Sequence, residues 1–420
     1  MKKKEELMEE TKPYKIPKQI VKIAFERVKA NKGTYGIDEQ SIADFERNLK
    51  NNLYKIWNRM SSGTYFPKPV KAVAIPKKNG GTRILGIPTV EDRVAQMVTK
   101  IYFEPKVEKI FHEDSYGYRP NKSALDAVGT LRERCWKKEW VIDFDIKGLF
   151  DNIRHDYLIE MVKRHTSEQW IVLYVERWLK TPFKMQDGTI VERVAGTPQG
   201  GVISPVLANL FMHYVFDDFM KREYPNMQWV RYADDGVLNC VSIKQAKYII
   251  RILERRFKIF GLELNLSKTK IVYCKDDDRK GDYENTNFNF LGYTFRRRPV
   301  RTKIGRIFLG FLPAISNEAQ KEIRREARKW RLQGKVNMSL QEIAKIINPK
   351  IQGWINYYAH FYKSEIYKVL KYINRCIVKW VRKKYKMRTI GKAIKWLYRV
   401  AKTNKEMFVH WRIGITSVAR

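Results

Sequence analysis

The sequence predicts an α+β protein whose last third is built of helices. Up to about residue 300, short apolar segments typical of strands alternate with segments in which apolar residues recur at helical spacing. Beyond that point helical periodicity dominates. A third observation concerns chemistry. Asp234 and Asp235 are adjacent and lie between apolar residues, where charged pairs are rare unless something neutralises them. Paired carboxylates in this setting indicate bound divalent cations.

Length and charge indicate a large protein with a polyanionic partner. The 420 residues, 44% of them hydrophobic, are enough for two or three domains with their own cores. The chain carries 83 Lys and Arg against 45 Asp and Glu, a net charge of +38. From Arg296 to Arg420 there are 32 Lys and Arg residues, six Glu and no Asp, still with a helical apolar rhythm. This segment is expected to be a folded basic domain.

Several protein classes are not indicated. No window approaches the eighteen or so uninterrupted apolar residues of a membrane span, and the start lacks the apolar core of a secretory signal. A soluble intracellular protein without a membrane partner is therefore expected. The cysteines show no C-x-x-C pair and no zinc-finger spacing, so we expect reduced, mostly buried thiols at Cys135, Cys240, Cys274 and Cys376.

The first elements are predicted as helices around a hairpin. Residues 42–60, 91–103 and 124–135 have amphipathic helical patterns. Residues 70–75 and 82–87 read as two strands joined by a lysine-rich Asn-Gly turn. Taken alone, such a basic tip is more often an ordinary exposed turn.

An acidic strand follows over residues 141–145. Its period of two places Asp143 and Asp145 on one face and apolar side chains on the other, so a carboxylate pair can face a cleft. Alternatively, Asp143 belongs to a strand end that caps the next helix. Both readings stay open for Asp143.

The central segment combines a glycine-rich loop with an acidic hairpin. Residues 196–201 form the loop, with Ser204 as N-cap and Pro205 at the first position of a helix to about residue 220. A strand from about residue 228 is expected to turn at Asp234 and Asp235 and return through Cys240. A helix over residues 243–260 and a short strand over 288–295 complete this part.

The basic C-terminal segment is predicted to be helical. Residues 318–330 form one helix, and Ser339 with Glu342 forms a capping box that opens another, which Pro349 should kink or interrupt. The aromatic residues Trp354, Tyr357 and Tyr358 recur at helical spacing, which is more often a core pattern than a base-stacking platform.

Segments spread over nearly the whole chain resemble the reverse transcriptases encoded by bacterial group II introns, also called maturases. Several of them in one order are more specific than any single motif. They are residues 33–38, 75–77, 86–89, 115–120, 145–151 (Asp-Ile-Lys-Gly-Leu-Phe-Asp), 196–205, 232–235 (Tyr-Ala-Asp-Asp), 264–270 and 290–293 (Phe-Leu-Gly-Tyr).

The resemblance implies a right-hand polymerase fold. Fingers and palm would occupy residues 1–300, an all-helical thumb or maturase domain residues 301–372, and a short basic DNA-binding-like segment residues 373–420. The paired cysteines and His-Asn-His endonuclease motif of many members are not found in this sequence. The chain therefore looks like a compact member that does not cleave the second DNA strand, and the implied location is the bacterial cytoplasm.

The resemblance also implies the metal site. Asp145 and Asp234 match the family's metal-binding aspartates, Asp235 is the third acidic member, and the carbonyl of Ile146 adds a ligand. Two Mg²⁺ ions would serve nucleotidyl transfer. Lys268 is the candidate proton donor to pyrophosphate, with Lys270 nearly as good.

The remaining implied roles concern nucleotide and nucleic acid. Lys77 and Arg83 match the residues that hold the incoming triphosphate, Gln199 lies against its sugar and base, and Phe150 matches the steric gate that excludes a 2′-hydroxyl. Implied contacts to template and primer come from Arg119, Gly292 and Tyr293.

The leading hypothesis is an RNA-directed DNA polymerase that also binds its parent intron RNA and assists splicing and retrohoming. Its partners would be an RNA template with a DNA primer, dNTPs, the group II intron RNA and target DNA. The first alternative is an RNA-binding splicing cofactor with a vestigial polymerase site, which the intact set of acidic and basic residues disfavours. The second, an RNA-dependent RNA polymerase, is disfavoured by Phe150.

Overall fold

The computed structural model describes residues 12–76, 80–302 and 304–418. Helices and strands are mixed up to Ile315 and helices follow, so the predicted α+β class with a helical C-terminal region is confirmed. The chain divides into two compact units. The first comprises Met1–Ser123, Phe144–Leu238 and Lys247–Thr269, and the second comprises Ala124–Asp143, Asn239–Ala246 and Lys270–Arg420.

In the described part of the chain, the helices in order are α1 (Lys18–Asn31), α2 (Ile42–Arg47), α3 (Leu49–Ser61), α4 (Val90–Glu108), α5 (Ala124–Lys137), α6 (Leu149–Asn152), α7 (His155–His165), α8 (Gln169–Lys180), α9 (Ser204–Met212), α10 (Asp218–Glu223), α11 (Ile243–Ile259), α12 (Asn317–Lys329), α13 (Leu340–Tyr358), α14 (Lys363–Lys384), α15 (Ile390–Thr403) and α16 (Val409–Arg412). The strands are β1 (Val70–Pro76), β2 (Thr82–Ile87), β3 (Trp140–Asp145), β4 (Phe183–Lys184), β5 (Ile190–Val191), β6 (Trp229–Tyr232), β7 (Asp235–Cys240), β8 (Lys270–Tyr273), β9 (Asn287–Phe290), β10 (Tyr293–Arg301) and β11 (Ile307–Ile315).

The predicted helix over residues 42–60 is two helices. Asn48 has φ −123° and ψ 44°, which is not helical, and it separates α2 from α3. At the start of α2, the Ser41 hydroxyl accepts a hydrogen bond from the Asp44 backbone, and the Asp44 carboxylate accepts one from the Ser41 backbone. This capping box fixes where α2 begins.

The predicted hairpin is confirmed. Strands β1 and β2 pair antiparallel with Ile75 opposite Arg83, and the sheet continues in the order β2-β1-β4-β5. Lys77 and the two residues after it lie outside the described residues. Arg83 is thus anchored on a regular strand of the first unit.

Helix α9 begins differently from the prediction. Its N-cap is Ile203 and not Ser204, which is the first helical residue. The Ser204 hydroxyl instead hydrogen-bonds the Thr197 hydroxyl at 2.8 Å, which ties the helix start to the glycine-rich loop. Beyond Met212 the helix passes through a π-helical turn, His213–Asp217, into α10.

The acidic hairpin lies in a four-stranded sheet of order β6-β7-β3-β8. Tyr232 pairs with Asp235, so the two-residue turn consists of Ala233 and Asp234, one position earlier than predicted. Ala233 has φ 58°, a conformation that is uncommon for a residue with a Cβ. Asp145 ends β3, the strand beside β7.

The second unit contains a sheet of order β11-β10-β9. The predicted strand over residues 288–295 is in fact two strands, because Leu291 and Gly292 form a tight turn with φ 49° and 78°. Strand β11 lies in the segment that was predicted to be all helical. Its last six residues are buried, so a continuous apolar run hides the alternation that marks a strand.

The C-terminal helices share one hydrophobic core. The capping box of Ser339 and Glu342 opens α13 as predicted, but Pro349 lies inside α13 without interrupting it. The expected domain boundary between residues 372 and 373 falls within α14, and the core includes residues from both sides of it. Trp354 and Tyr358 pack against this core, in agreement with their predicted role.

Two expectations about composition can be compared with the structure. All four cysteines are free thiols, three of them buried and Cys376 half-buried, as predicted. Over the residues described, none of the helices has the length and apolar character that a membrane crossing requires.

Candidate active site

Three aspartate carboxyl groups meet in the first unit. Asp145 ends β3, Asp234 lies in the β6–β7 turn and Asp235 begins β7. The charges of Asp234 and Asp145 both act on the carboxyl group of Asp235, and the charge of Asp145 also acts on Asp234. The structure therefore brings together the three carboxylates that the sequence singled out.

Two of the three carboxyl groups, those of Asp234 and Asp235, have raised pKa values. Incomplete hydration and then the charges of Asp234 and Asp145 raise the pKa of Asp235 to about 7. Partial burial, and then the negative charge of Asp145, also raise the pKa of Asp234. Asp235 is partly exposed to solvent, which weakens the effect of burial. We therefore attribute the raised pKa of Asp235 mainly to repulsion between the carboxylates. A site of this kind has an excess of negative charge that a cation would offset.

Basic and amide groups hold Asp145 in place. Its Oδ2 atom accepts hydrogen bonds from Nδ2 of Asn265 at 2.8 Å and from Nζ of Lys268 at 2.9 Å. The pKa of Lys268 is raised, first by its hydrogen bond to Asp145. Lys270, the alternative proton donor, lies on β8 in the second unit, where it pairs with Asp143. Lys268 is thus the lysine that contacts the carboxylate cluster.

The donor set fits hard divalent cations. It consists of carboxylate oxygens, which Mg²⁺ prefers. Ile146 lies opposite Leu264 in an isolated β-bridge, whose backbone hydrogen bonds are made by the residues on either side of Ile146. The Ile146 carbonyl takes no part in those hydrogen bonds. In the part of the chain described, no group of three His, Cys, Asp or Glu residues already has the arrangement of a metal site. The fit therefore rests on the chemistry of the donors.

Arg83 and Gln199 form a connected pair. The Nε atom of Arg83 donates a hydrogen bond to Oε1 of Gln199, whose Nε2 atom lies 3.1 Å from both carboxylate oxygens of Asp151. The backbone of Gln199 also accepts a hydrogen bond from Gly86 of β2 at 2.7 Å. The charge of Arg83 offsets part of the rise in the pKa of Asp234, so this pair lies within electrostatic reach of the carboxylates.

Phe150 lies in α6, which follows β3 closely. Its ring is 7% exposed and meets the edge of the Tyr118 ring at 6.3 Å between centroids. Its carbonyl accepts a hydrogen bond from Thr197 of the glycine-rich loop at 2.7 Å. Burial and then the charge of Asp234 raise the pKa of Tyr118, which places these rings beside the carboxylates.

One buried arginine was not anticipated from the sequence. Arg231 is fully buried and forms an ion pair with Asp217 at 2.6 Å. Its Nη1 atom donates to the Ala233 carbonyl at 3.1 Å, and its Nη2 atom to the Ser115 hydroxyl at 2.8 Å. Arg231 therefore anchors the turn that carries Asp234. An arginine within the apolar strand beside that turn was the available signal.

Other residues assigned from the sequence are not part of this cluster. The Arg119 side chain is 6% exposed and bonds to Glu108 and to the carbonyls of His112 and Ser115, so most of its N–H donors are used within the protein, and its template contact stays a prediction. Tyr293 and Gly292 lie in the second unit. The Tyr293 ring is 0% exposed and its hydroxyl donates to the Tyr357 carbonyl, which makes the ring a core residue.

Two protein families match this chain. Residues 75–295 match the family described as reverse transcriptase (RNA-dependent DNA polymerase), and residues 320–399 match the group II intron, maturase-specific domain. The first match contains all three aspartates, and the second lies in the helical C-terminal region. Together they cover most of the chain.

Named relatives point to the same family. The chain is 32% identical over 353 residues to the group II intron-encoded protein LtrA of Lactococcus lactis subsp. cremoris, covering 68% of this chain and 56% of LtrA. It is 30% identical over 309 residues to protein YkfC of Escherichia coli, covering 64% of this chain and 77% of YkfC.

A telomerase structure from Candida albicans aligns with a TM-score of 0.47 at 12% identity, over 89% of this chain and 68% of that one, which is too distant to support an argument. The family matches and the two relatives are sufficient without it. The chain belongs to the reverse transcriptase family and carries a group II intron maturase-specific domain.

Proposed function

We propose that this protein is an RNA-directed DNA polymerase encoded by a group II intron, which copies RNA into cDNA and binds the intron RNA to assist splicing and retrohoming. The chain spans about half the length of LtrA, so the activity is argued from the residues of this chain. The observation that carries the proposal is the meeting of Asp145, Asp234 and Asp235 beside Lys268.

The carboxylates would form the metal site. Asp145, Asp234 and Asp235, with the Ile146 carbonyl, would hold two Mg²⁺ ions. When bound, such ions activate the primer 3′-hydroxyl and offset negative charge on the reacting phosphates. The raised pKa values of Asp234 and Asp235 support this assignment, because burial and then the neighbouring carboxylates disfavour the ionised forms, which a bound cation would stabilise.

The fingers residues would hold the incoming dNTP. Arg83 suits bidentate contact with its triphosphate, and Lys77 would add a mobile positive charge. Gln199 would contact the sugar and base, and its amide is already oriented by Asp151. The ring of Phe150 would occupy the space that a 2′-hydroxyl needs, which favours deoxynucleotides.

Lys268 would donate a proton to the leaving pyrophosphate. A proton donor must be protonated before the reaction, and a lysine ammonium meets this condition at neutral pH. Contact with Asp145 raises the pKa of Lys268 further and holds its ammonium group at the carboxylate cluster. The contact of Lys268 with Asp145 favours it over Lys270.

The basic C-terminal region would bind nucleic acid. Residues 1–300 would supply fingers and palm, residues 301–372 the thumb or maturase domain, and residues 373–420, which share a hydrophobic core with it, a short DNA-binding segment. The net charge of +26 from Arg296 to Arg420 supports contact with the phosphates of an RNA template, a DNA primer, the intron RNA and target DNA. Gly292 would contact the primer through its backbone, because glycine has no side chain that would keep the primer away from the turn.

Two assays on the same protein test the proposal. The first is extension of a DNA primer on an RNA template with Mg²⁺ and either dNTPs or rNTPs. The second is splicing of the parent intron RNA at low Mg²⁺, with and without protein. Extension with dNTPs is expected. Splicing assistance without extension would contradict the polymerase and indicate a cofactor with a vestigial site, whereas a preference for rNTPs would indicate an RNA polymerase.

A further inference from the structure

The second unit contains a polar cavity that no role above uses. Its volume is about 260 Å³. Three lining residues, Thr294, Arg296 and Arg298, lie two positions apart on β10, so their side chains point to one face of the sheet. The other lining residues are Asn287, Ile315, Asn317, Gln320 and Glu365.

Arg298 brings a buried positive charge to this cavity. Its side chain is 4% exposed, and it donates hydrogen bonds to the carbonyls of Leu312 and Thr294, both at 3.2 Å. Burial and then repulsion by Arg296 lower the pKa of Arg298 to about 10. Two guanidinium groups therefore repel each other at the same cavity, which is unfavourable unless an anion lies between them.

The acidic residue at the cavity does not balance the two arginines. Glu365 lies 3.7 Å from Arg298 but only 3.0 Å from Lys368, through both of its carboxylate oxygens. Arg296 has neither an ion pair nor a side-chain hydrogen bond with any residue that the structure describes. The cavity thus keeps a net positive charge.

The start of helix α12 adds hydrogen-bond donors. Asn317 is its first residue, and the first turn of a helix presents backbone N–H groups without acceptors inside the helix. The Ser316 hydroxyl already accepts from the Ala319 N–H at 3.1 Å, which leaves the N–H groups before Ala319. Gln320 is 7% exposed and lines the cavity. Its Oε1 atom accepts from Arg324, and its Nε2 atom has no partner among the described residues. The Nε2 atom is solvent-accessible and is free to donate to an acceptor in the cavity.

We infer that this cavity binds a phosphate group, held by Arg296, Arg298 and Gln320 at the start of α12. The cavity offers guanidinium and N–H donors, a net positive charge and a volume sufficient for one phosphate. The chain as a whole carries a charge of +38, which favours a backbone phosphate of a nucleic acid over a free anion. The inference rests on the proposed function only for the identity of that polymer.

Arg296→Gln is the main test, because Arg296 is exposed and its replacement should not affect folding. Binding of an RNA–DNA duplex oligonucleotide to the full chain is measured over a range of salt concentrations. The matched control is Arg325→Gln, which removes the same charge from an exposed site on α12 outside the cavity. Arg296→Gln should weaken binding by about 3–10-fold for every sequence and reduce the salt dependence by about one ion.

A second variant and a second ligand complete the test. Gln320→Met keeps the shape of the side chain but removes the amide donor, and it should also weaken binding. Inorganic phosphate is added at millimolar concentration to distinguish a free anion from a backbone phosphate. Raised thermal stability in the wild type but not in Arg296→Gln would support the phosphate site with a free anion as its ligand. If Arg296→Gln weakens oligonucleotide binding and phosphate does not raise the thermal stability of the wild type, the phosphate site is supported with a nucleic acid as its ligand.

Equal effects of Arg296→Gln and Arg325→Gln would overturn the inference, because the loss would then reflect general charge. The failure of the site is distinguishable from failure of the proposed function. Binding reports on the cavity, whereas primer extension by the wild type reports on the polymerase.

Discussion

The Nζ atom of Lys268 lies 2.9 Å from Oδ2 of Asp145, although 123 positions separate the two residues along the chain. The same oxygen accepts a hydrogen bond from Asn265, so the segment after α11 is bound to the end of β3. Lys268 is the cation that contacts the carboxylate cluster directly, and this contact separates it from Lys270.

The first prediction distinguishes the two lysines. Lys268→Leu should lower kcat for primer extension by about 10- to 100-fold, as expected for loss of a general acid, with little change in KM for the primer. Lys270→Leu, two residues away on β8, is the control and should stay within about two-fold of the wild type. Equal losses in both variants would remove the proton-donor role of Lys268.

The second prediction concerns the metal-binding aspartate. Asp234→Asn should reduce polymerisation by about a thousand-fold or more, because an amide is a poor ligand for Mg²⁺. RNA binding, measured by filter retention, should change less than about two-fold. Thermal stability without divalent cations should be equal or higher, because the pKa of Asp234 is raised and its ionised form is therefore disfavoured. A parallel loss of RNA binding would mean that the carboxylate is structural.

The third prediction concerns sugar selection. Phe150→Ala should reduce the preference for dNTPs over rNTPs, measured as the ratio of kcat/KM values, by about 10- to 100-fold. Because the ring is 7% exposed, its removal also costs about 3–5 kcal/mol of stability, and assays belong well below the melting temperature of the variant. Tyr118→Leu removes the neighbouring ring and should leave the preference largely intact. An unchanged ratio in Phe150→Ala would refute the gate.

Local features of the fold could be predicted from the sequence because they depend on neighbouring residues. The hairpin of β1 and β2 follows from its turn residues, and the start of α13 follows from Ser339 and Glu342. The turn at Leu291 and Gly292 was missed, because a single strand pattern spans it. Strand β11 was missed because burial on both faces removes the alternation.

The site was only partly predictable, because some of its contacts join residues that are far apart in the sequence. The three aspartates were identified because carboxylates in apolar segments are unusual, and the family resemblance then placed them together. Arg119 was assigned to the template from the family resemblance, yet its partners Glu108, His112 and Ser115 depend on the fold. The pairing of Arg231 with Asp217 is likewise a tertiary contact that no local pattern indicates.

The fourth prediction separates stability from activity at this pair. Arg231→Met leaves the Asp217 carboxylate buried without its partner and should cost about 3–5 kcal/mol in urea unfolding. Replacing both, with Asp217→Leu added, should recover part of that loss. Polymerase activity should stay low in the double variant, because the Ala233 carbonyl still lacks its anchor. Full recovery of activity together with stability would show that Arg231 does not position the turn.

The fifth prediction concerns pH and the helical C-terminal region. His410 is 0% exposed, and its Nε2 atom lies 2.7 Å from Oδ1 of Asn374, which can only accept, so Nε2 carries the proton. Burial lowers the pKa of His410 from 6.5 to about 3. Between these values the unfolded chain binds a proton that the folded protein does not. This group therefore destabilises the folded protein as the pH falls below 6.5 and has no effect above it.

Going from pH 7.5 to pH 5, this contribution amounts to about 2 kcal/mol. His410→Gln keeps a donor for Asn374 and removes the titration, so its free energy of unfolding, measured in urea, should fall about 2 kcal/mol less than that of the wild type over this range. His360→Gln, at an exposed position, is the control and should follow the wild type. If His410→Gln and wild type lose the same stability between the two pH values, the buried neutral imidazole is not the group that responds to acid.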